Sequence, residues 1–202
     1  LKHESAWRSM AWLLVVISLA LNLRPSLTAI SPLLNDIRTG VGLGFQMAGL
    51  LTTLPVVCMG LVALLSAQIE ARLGEGRGIA CGLLCILLAG AARGVVDHSL
   101  LLLLTALLAG LGIALIQVLV PGLIKRRFAG RVAMAMGLYS AALMGGGGLA
   151  AWLSPQLAQR TGHWQMGLAV WALPALLALL IWLRTPWREA QALAVDQGLR
   201  RF

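Results

Sequence analysis

The chain has 202 residues, of which 59% are apolar and only 11% charged, with a mean hydropathy of +0.88. A soluble domain carries about 25% charged residues; here the apolar residues run in long blocks, which excludes a water-soluble domain and predicts an all-α integral membrane protein. The net charge of +9 does not point to nucleic acid, because Lys and Arg stand at the ends of the apolar blocks and form no basic, aromatic-interleaved surface.

A helix needs roughly 20 apolar residues to cross a bilayer. Six segments qualify, at about 10–34, 45–69, 78–96, 99–124, 132–153 and 164–183, joined by short loops. Their periodicity is helical and no strand pattern occurs. The prediction is six transmembrane helices in one bundle over residues 1–187. The polar stretch 188–202, "REAQALAVDQGLRRF", reads as the start of a cytoplasmic linker.

Lys and Arg orient the bundle. With the amino terminus inside, the cytoplasmic segments hold Lys2, Arg8, Arg72, Arg77, Lys125, Arg126, Arg127, Arg131, Arg184, Arg188, Arg200 and Arg201. The outer loops hold Arg38 and Arg160, so both termini are expected in the cytoplasm, with the chain in the inner (plasma) membrane. Trp7, Trp12, Trp182 and Trp187 are expected near the inner interface, Trp152 and Trp164 near the outer one, and Trp171 deeper.

The first span carries the sharpest signal. The uncharged run from Ser9 to Leu23 is too short to span comfortably, so the helix must continue through Arg24. At ~1.5 Å per residue Arg24 lies roughly 20 Å beyond Met10, past the midplane of a ~30 Å hydrocarbon core. An arginine there costs at least ~2.5 kcal/mol unless it faces a polar cavity or a partner. Arg24, Thr28, Ser31 and Asn35 share one helical stripe, and Ser18, Asn22 and Ser26 a second. Pro25 and Pro32 free the carbonyls of Leu21 and Thr28. A broken, polar helix at this depth is what a transporter uses to bind solute. The competing reading is that Arg24 snorkels outward or pairs with a carboxylate. The permanently charged guanidinium favours a small anion or electron-rich solute.

In the third span Arg93 lies at a similar depth, with Asp97 at i+4 as a local ion-pair partner; the structural role is favoured. In the fourth, Gln117 shares a stripe with Ala106, Gly110, Ala114 and Pro121, so it faces the bundle and either binds solute or bridges helices. In the fifth, Gly137, Ala141 and Gly145 line one face; Ala135, Ala142, Gly146 and Ala150 line the opposite face with Tyr139. Close packing on both faces is expected, with gating at Gly145 and Gly146 as a further step, and Tyr139 is a candidate solute contact. Cys58, Cys81 and Cys85 lie within apolar blocks and read as packing residues. His3, His98 and His163 fall near membrane edges, which leaves no intramembrane haem or zinc site. No Gly-x-Ser-x-Gly, His-Glu-x-x-His or Walker motif occurs, so neither an enzyme nor a cofactor is expected.

Five blocks carry a family resemblance: "LNLRPSLTAISPLL" (21–34), "LTTLPVVCMGL" (51–61), "VPGLIKRRF" (120–128), "MGLYSAALMGGGGL" (136–149) and "WALPALLAL" (171–179). Together they resemble the cyanate permease and 2-nitroimidazole transporter branch of the major facilitator superfamily. The resemblance implies a twelve-helix fold in two six-helix halves working by alternating access, with this chain as the amino-terminal half and the carboxy-terminal half as its missing partner. In the family's loop between helices 2 and 3, Gly-x-Leu-Ala-Asp-Arg-x-Gly-Arg-Lys, this chain has "AQIEARLGEGR" (67–77). Arg72 and Gly74 are retained, Ala71 replaces the aspartate, and Glu70, Arg72 and Arg77 become candidate gate contacts. The fifth helix lacks the proline of the antiporter Gly-Pro pair.

The expected function is secondary transport of a small solute or anion, cyanate-like or nitroimidazole-like. Asn22, Arg24 and Thr28 are the expected contacts from helix 1, with Gln117 and Tyr139 nearer the cytoplasm. The alternative from another class is a complete six-helix scaffold or partner subunit in the lipid bilayer, without transport.

Overall fold

A computed structural model describes residues 2–185, with side chains from Ser9 onward. Trp187, Arg188 and the linker expected at 188–202 lie outside the described residues. All regular structure among the described residues is helical. Helix α1 (Lys2–Leu21), α2 (Pro25–Thr28) and α3 (Ile30–Val41) together make the first crossing; α4 is Phe45–Leu64 and α5 is Ser66–Ala92. After a 3-10 turn at Arg93–Val95 come α6 (Ser99–Arg127), α7 (Val132–Thr161), α8 (Trp164–Ala169) and α9 (Ala172–Arg184). Among the described residues six crossings are long and apolar enough to span a membrane, and their order matches the six predicted from the sequence. The chain is a multi-pass, all-α membrane protein.

The helix ends follow local chemistry. At Gly74 the backbone takes φ 69°, ψ 162°, a conformation open to glycine alone at little cost. α5 is thus two helical pieces that meet at Gly74, the second of which contains the span predicted from residue 78. At Gly162, φ 71° closes α7 in the left-handed cap conformation.

Two apolar clusters hold the bundle. One, toward the start of α1 and the end of α9, includes Val16, Leu19, Leu23, Leu83, Ile116, Val120, Leu143 and Trp182. The other, at the far end, includes Ala29, Ile30, Leu33, Ile37, Leu102, Ala106, Ala150 and Leu168. Leu23 belongs to the first and Ala29 to the second, so residues 24–28 cross the boundary between them. Helix packing is closest where small residues face each other. A Cβ at Gly112 would stand 2.5 Å from the carbonyl oxygen of Gly82, and one at Gly110 2.6 Å from Cα of Pro55. Such contacts are how helices associate where lipid removes the hydrophobic drive.

Trp182, expected near the inner interface, faces into the bundle. It is fully buried, donates from Nε1 to the carbonyl of Gly76 (2.9 Å), and meets Trp12 edge-on at 6.3 Å between centroids. The backbone leaving the Gly74 bend offers the indole its acceptor inside the bundle. Cys58 is buried as expected of a packing residue, whereas Cys81 is exposed.

Candidate transport site at the broken first span

The break is built from proline and from shifted hydrogen bonds. Pro25 has no N–H to continue the ladder. The last turn of α1 tightens to i→i−3 bonds, Asn22 N to Leu19 O and Leu23 N to Ala20 O, both 3.1 Å. The chain restarts at Pro25, whose fixed φ suits a first helical position. It breaks again at Ala29, ahead of α3. Pro32 falls in the first turn of α3, where a missing N–H is tolerated.

Helix α7 backs this break through glycine. The Leu21 carbonyl sits directly against Gly146 with no room for a side chain. A Cβ at Gly147 would stand 3.1 Å from Cβ of Arg24 and 3.4 Å from Cγ2 of Thr28. The Thr28 hydroxyl donates to the Gly147 carbonyl (2.9 Å) and lies 3.1 Å from the Arg24 carbonyl. Thr28, a predicted solute contact, is therefore a strut between α2 and α7.

Asn22 is also engaged. It is buried, and its Nδ2 donates to the Ser18 carbonyl at 2.7 Å, one turn back in α1. The Ser18–Asn22–Ser26 stripe runs into the bundle, with Asn22 and Ser26 buried. The other stripe runs toward the surface, from partly exposed Arg24 and Thr28 to exposed Ser31 and Asn35. Among the described residues, the Arg24 side chain has neither a hydrogen bond nor an ion pair.

Arg93 does not pair with Asp97 as expected. The α-helix ends at Ala92, and residues 93–95 form a 3-10 turn that leads into extended backbone at Val96. The i+4 geometry is lost, and Asp97 is exposed. The Arg93 side chain turns inward, where it is 1% exposed. Its Nη1 donates to the Ser26 carbonyl at 2.8 Å and its Nε to the Thr105 hydroxyl at 3.3 Å. Its Nη2 is buried with no acceptor among the described residues.

Gln117 is half-buried on the α6 stripe whose Gly110 packs on Pro55 of α4. Tyr139 is buried in the cluster toward the start of α1 and the end of α9. Among the described residues no hydrogen bond ties either to the break. On α7 the face with Ala135, Tyr139, Gly146 and Ala150 packs inward, whereas Gly137, Ala141 and Gly145 face outward, with open space at both glycines.

Toward the start of α1 and the end of α9, Arg126 bridges Glu70 (3.1 Å) and Glu75. Arg72 and Arg77, the other expected gate residues, are exposed there and join no ion pair among the described residues. Arg127 lies over the Trp12 ring, 4.0 Å from its centroid. Sequence reasoning did not identify Glu75 or Arg126; the signal was a carboxylate directly after Gly74, facing the Lys125–Arg127 run at the end of α6. It also left Thr105 and Gly147 unassigned.

Comparison with known proteins places this geometry. The chain is 47% identical over 177 residues to the cyanate transport protein CynX of Escherichia coli (strain K12), covering 88% of this chain and 46% of that protein. It is 38% identical over 176 residues to the 2-nitroimidazole transporter of the same organism, covering 87% and 44%. The chain thus spans about half the length of the curated relatives it matches. The fold superposes on the proton:xylose symporter XylE with a TM-score of 0.77 at 14% identity, covering 90% of this chain and 45% of that one. A model of the Major Facilitator Superfamily matches residues 10–200. With six membrane helices, this fold and that match, the chain belongs to the Major Facilitator Superfamily of transporters.

Proposed function

We propose that the chain is the amino-terminal half of a secondary transporter that carries a small anionic or nitrogen-containing solute, cyanate-like or nitroimidazole-like, by alternating access. A second six-helix half completes the pathway, the linker begins after residue 187, and both termini of this chain lie in the cytoplasm. The chain acts on its solute by binding and release, not as an enzyme.

The observation that carries this reading is the state of Arg24. Asn22 and Thr28 on the same segment are engaged with Ser18 and Gly147, and Arg93 with Ser26 and Thr105. Arg24 is partly exposed on a stripe open to the surface, with no partner among the described residues. A fixed cation deep in the first crossing, on a segment tied to α7 and to Arg93, is suited to an anion that must bind and leave. The names of CynX and the 2-nitroimidazole transporter support this solute class. Glu70, Glu75 and Arg126 fasten the cytoplasmic end in this arrangement.

The test is solute flux in proteoliposomes of the full-length transporter, with cyanate and 2-nitroimidazole as probes. Losing a charge-assisted hydrogen bond costs about 1.5–3 kcal/mol, so Arg24→Ala should lower flux at least tenfold (~1.4 kcal/mol). Membrane insertion should be unchanged. Arg24→Ala with the flux of the unmodified protein refutes the assignment.

A further inference from the structure

We infer that Arg93 is a positioning residue for Arg24: from inside the bundle it holds the short segment from which Arg24 projects. This rests on the reading of Arg24 as the solute contact.

The geometry is specific. The segment 22–29 is broken on both sides, so the helical ladder alone does not fix its orientation. Two side-chain hydrogen bonds from outside the first crossing do. On one side the Thr28 hydroxyl reaches the Gly147 carbonyl of α7. On the other, the Arg93 guanidinium reaches the Ser26 carbonyl, which lies two residues from Arg24. Thr105 of α6 accepts from Nε, and its own hydroxyl donates to the Leu102 carbonyl at 2.7 Å. The chain of contacts therefore runs from α6 through Arg93 to the break. Arg93 is 1% exposed, out of reach of any solute in this arrangement. A buried arginine is a costly way to fill apolar space. No carboxylate neutralises it among the described residues. Its bonds to Ser26 and Thr105 need a long side chain with a donor at its end, which an apolar one cannot supply.

The consequence is a separation of roles. Arg24 meets the solute, and Arg93 sets where Arg24 points. Removing the Arg93 bond to Ser26 frees the segment to rotate about its breaks, which alters solute affinity ahead of the conformational cycle.

Two readouts on the full-length transporter test this. In protein with Cys58, Cys81, Cys85 and any further cysteines replaced by serine, Arg24→Cys reports the exposure of position 24. Its rate of modification by a membrane-impermeant methanethiosulfonate is measured with Arg93, Arg93→Lys, Arg93→Met or Thr105→Val alongside. Arg93→Met should shift that rate by about tenfold, and Arg93→Lys, which can still donate to Ser26, should stay close to the parent. With Arg24 intact, Arg93→Met should raise the KM for cyanate about tenfold while kcat holds within about twofold. Thr105→Val keeps the shape of the core and decides the matter where Arg93→Met does not insert: a shifted labelling rate sustains the proposal. Unchanged labelling and KM in the variants that insert would overturn it. The labelling readout contains no Arg24 side chain, so it stands or falls separately from the solute-contact assignment.

Discussion

Gly146→Ala is expected to disable the chain where Gly145→Ala leaves it intact. In both positions alanine gains about 1 kcal/mol of helix propensity over glycine. At Gly145 nothing lies within 4 Å of the added methyl, so that gain stands and the variant is as stable as the parent or slightly more so. At Gly146 the methyl meets the Leu21 carbonyl oxygen, with the Leu21 carbonyl carbon at 3.0 Å and Cα at 3.1 Å. These are backbone atoms, so no rotamer change relieves the contact and the two helices must part. Overpacking of this kind costs about 1–3 kcal/mol; after the propensity gain, the net loss is up to ~2 kcal/mol. Leu21 is the last residue of α1 before the break, so the displacement passes directly to Arg24. The assay is the thermal midpoint of each purified variant in detergent, by fluorescence-detected size exclusion, followed by flux in the full-length transporter. A Gly146→Ala protein with the midpoint of Gly145→Ala and undiminished flux would refute the claimed close approach.

Thr28→Val removes the bond to Gly147 with little change in shape. An interhelical side-chain bond in membranes averages about 0.6 kcal/mol, so a drop of a few degrees in thermal midpoint is expected, with Thr28→Ser restoring it. For the Arg126 cluster the two carboxylates should differ. Glu70 is 49% exposed at its side chain, and such pairs are worth about 0–1 kcal/mol. Glu75 is 11% exposed, so Glu75→Gln should lower the midpoint more than Glu70→Gln does, and the ordering should survive high salt.

The number and order of the membrane helices were legible because bilayer thickness imposes a length that the apolar blocks display. The first crossing was legible as broken, since Pro25 and Pro32 cannot donate. The positions of the breaks were not: they fall at 22–24 and at Ala29, where packing against α7 decides which turn yields. Partners far apart in sequence were invisible. Arg93 reaches Ser26 across 67 residues, and Thr28 reaches Gly147 across 119. The local Asp97 was the natural guess for Arg93, and it failed because the α-helix ends at Ala92, before either residue. Composition also could not say which small-residue face of α7 packs. Gly145 and Gly146 look alike in sequence, yet one meets open space and the other a backbone carbonyl.

The break joins these observations into one mechanical unit. A helix that crosses a membrane unbroken satisfies its own backbone and needs nothing from its neighbours. Residues 22–29 give up part of that ladder; Arg93 donates to the Ser26 carbonyl and the Thr28 hydroxyl ties the segment to α7, so their position depends on two other crossings. On the alternating-access reading proposed above, such a segment moves with α7 on one side and with the end of α5 on the other. Any shift between those helices changes where Arg24 points. On the proposed reading, an unpaired cation on a segment supported this way links helix packing to solute affinity, and among the described residues no carboxylate pairs with it. Glycine at 146 and 147 lets α7 approach the break, and the buried arginine at 93 reaches its backbone, supports that an unbroken apolar span would not require.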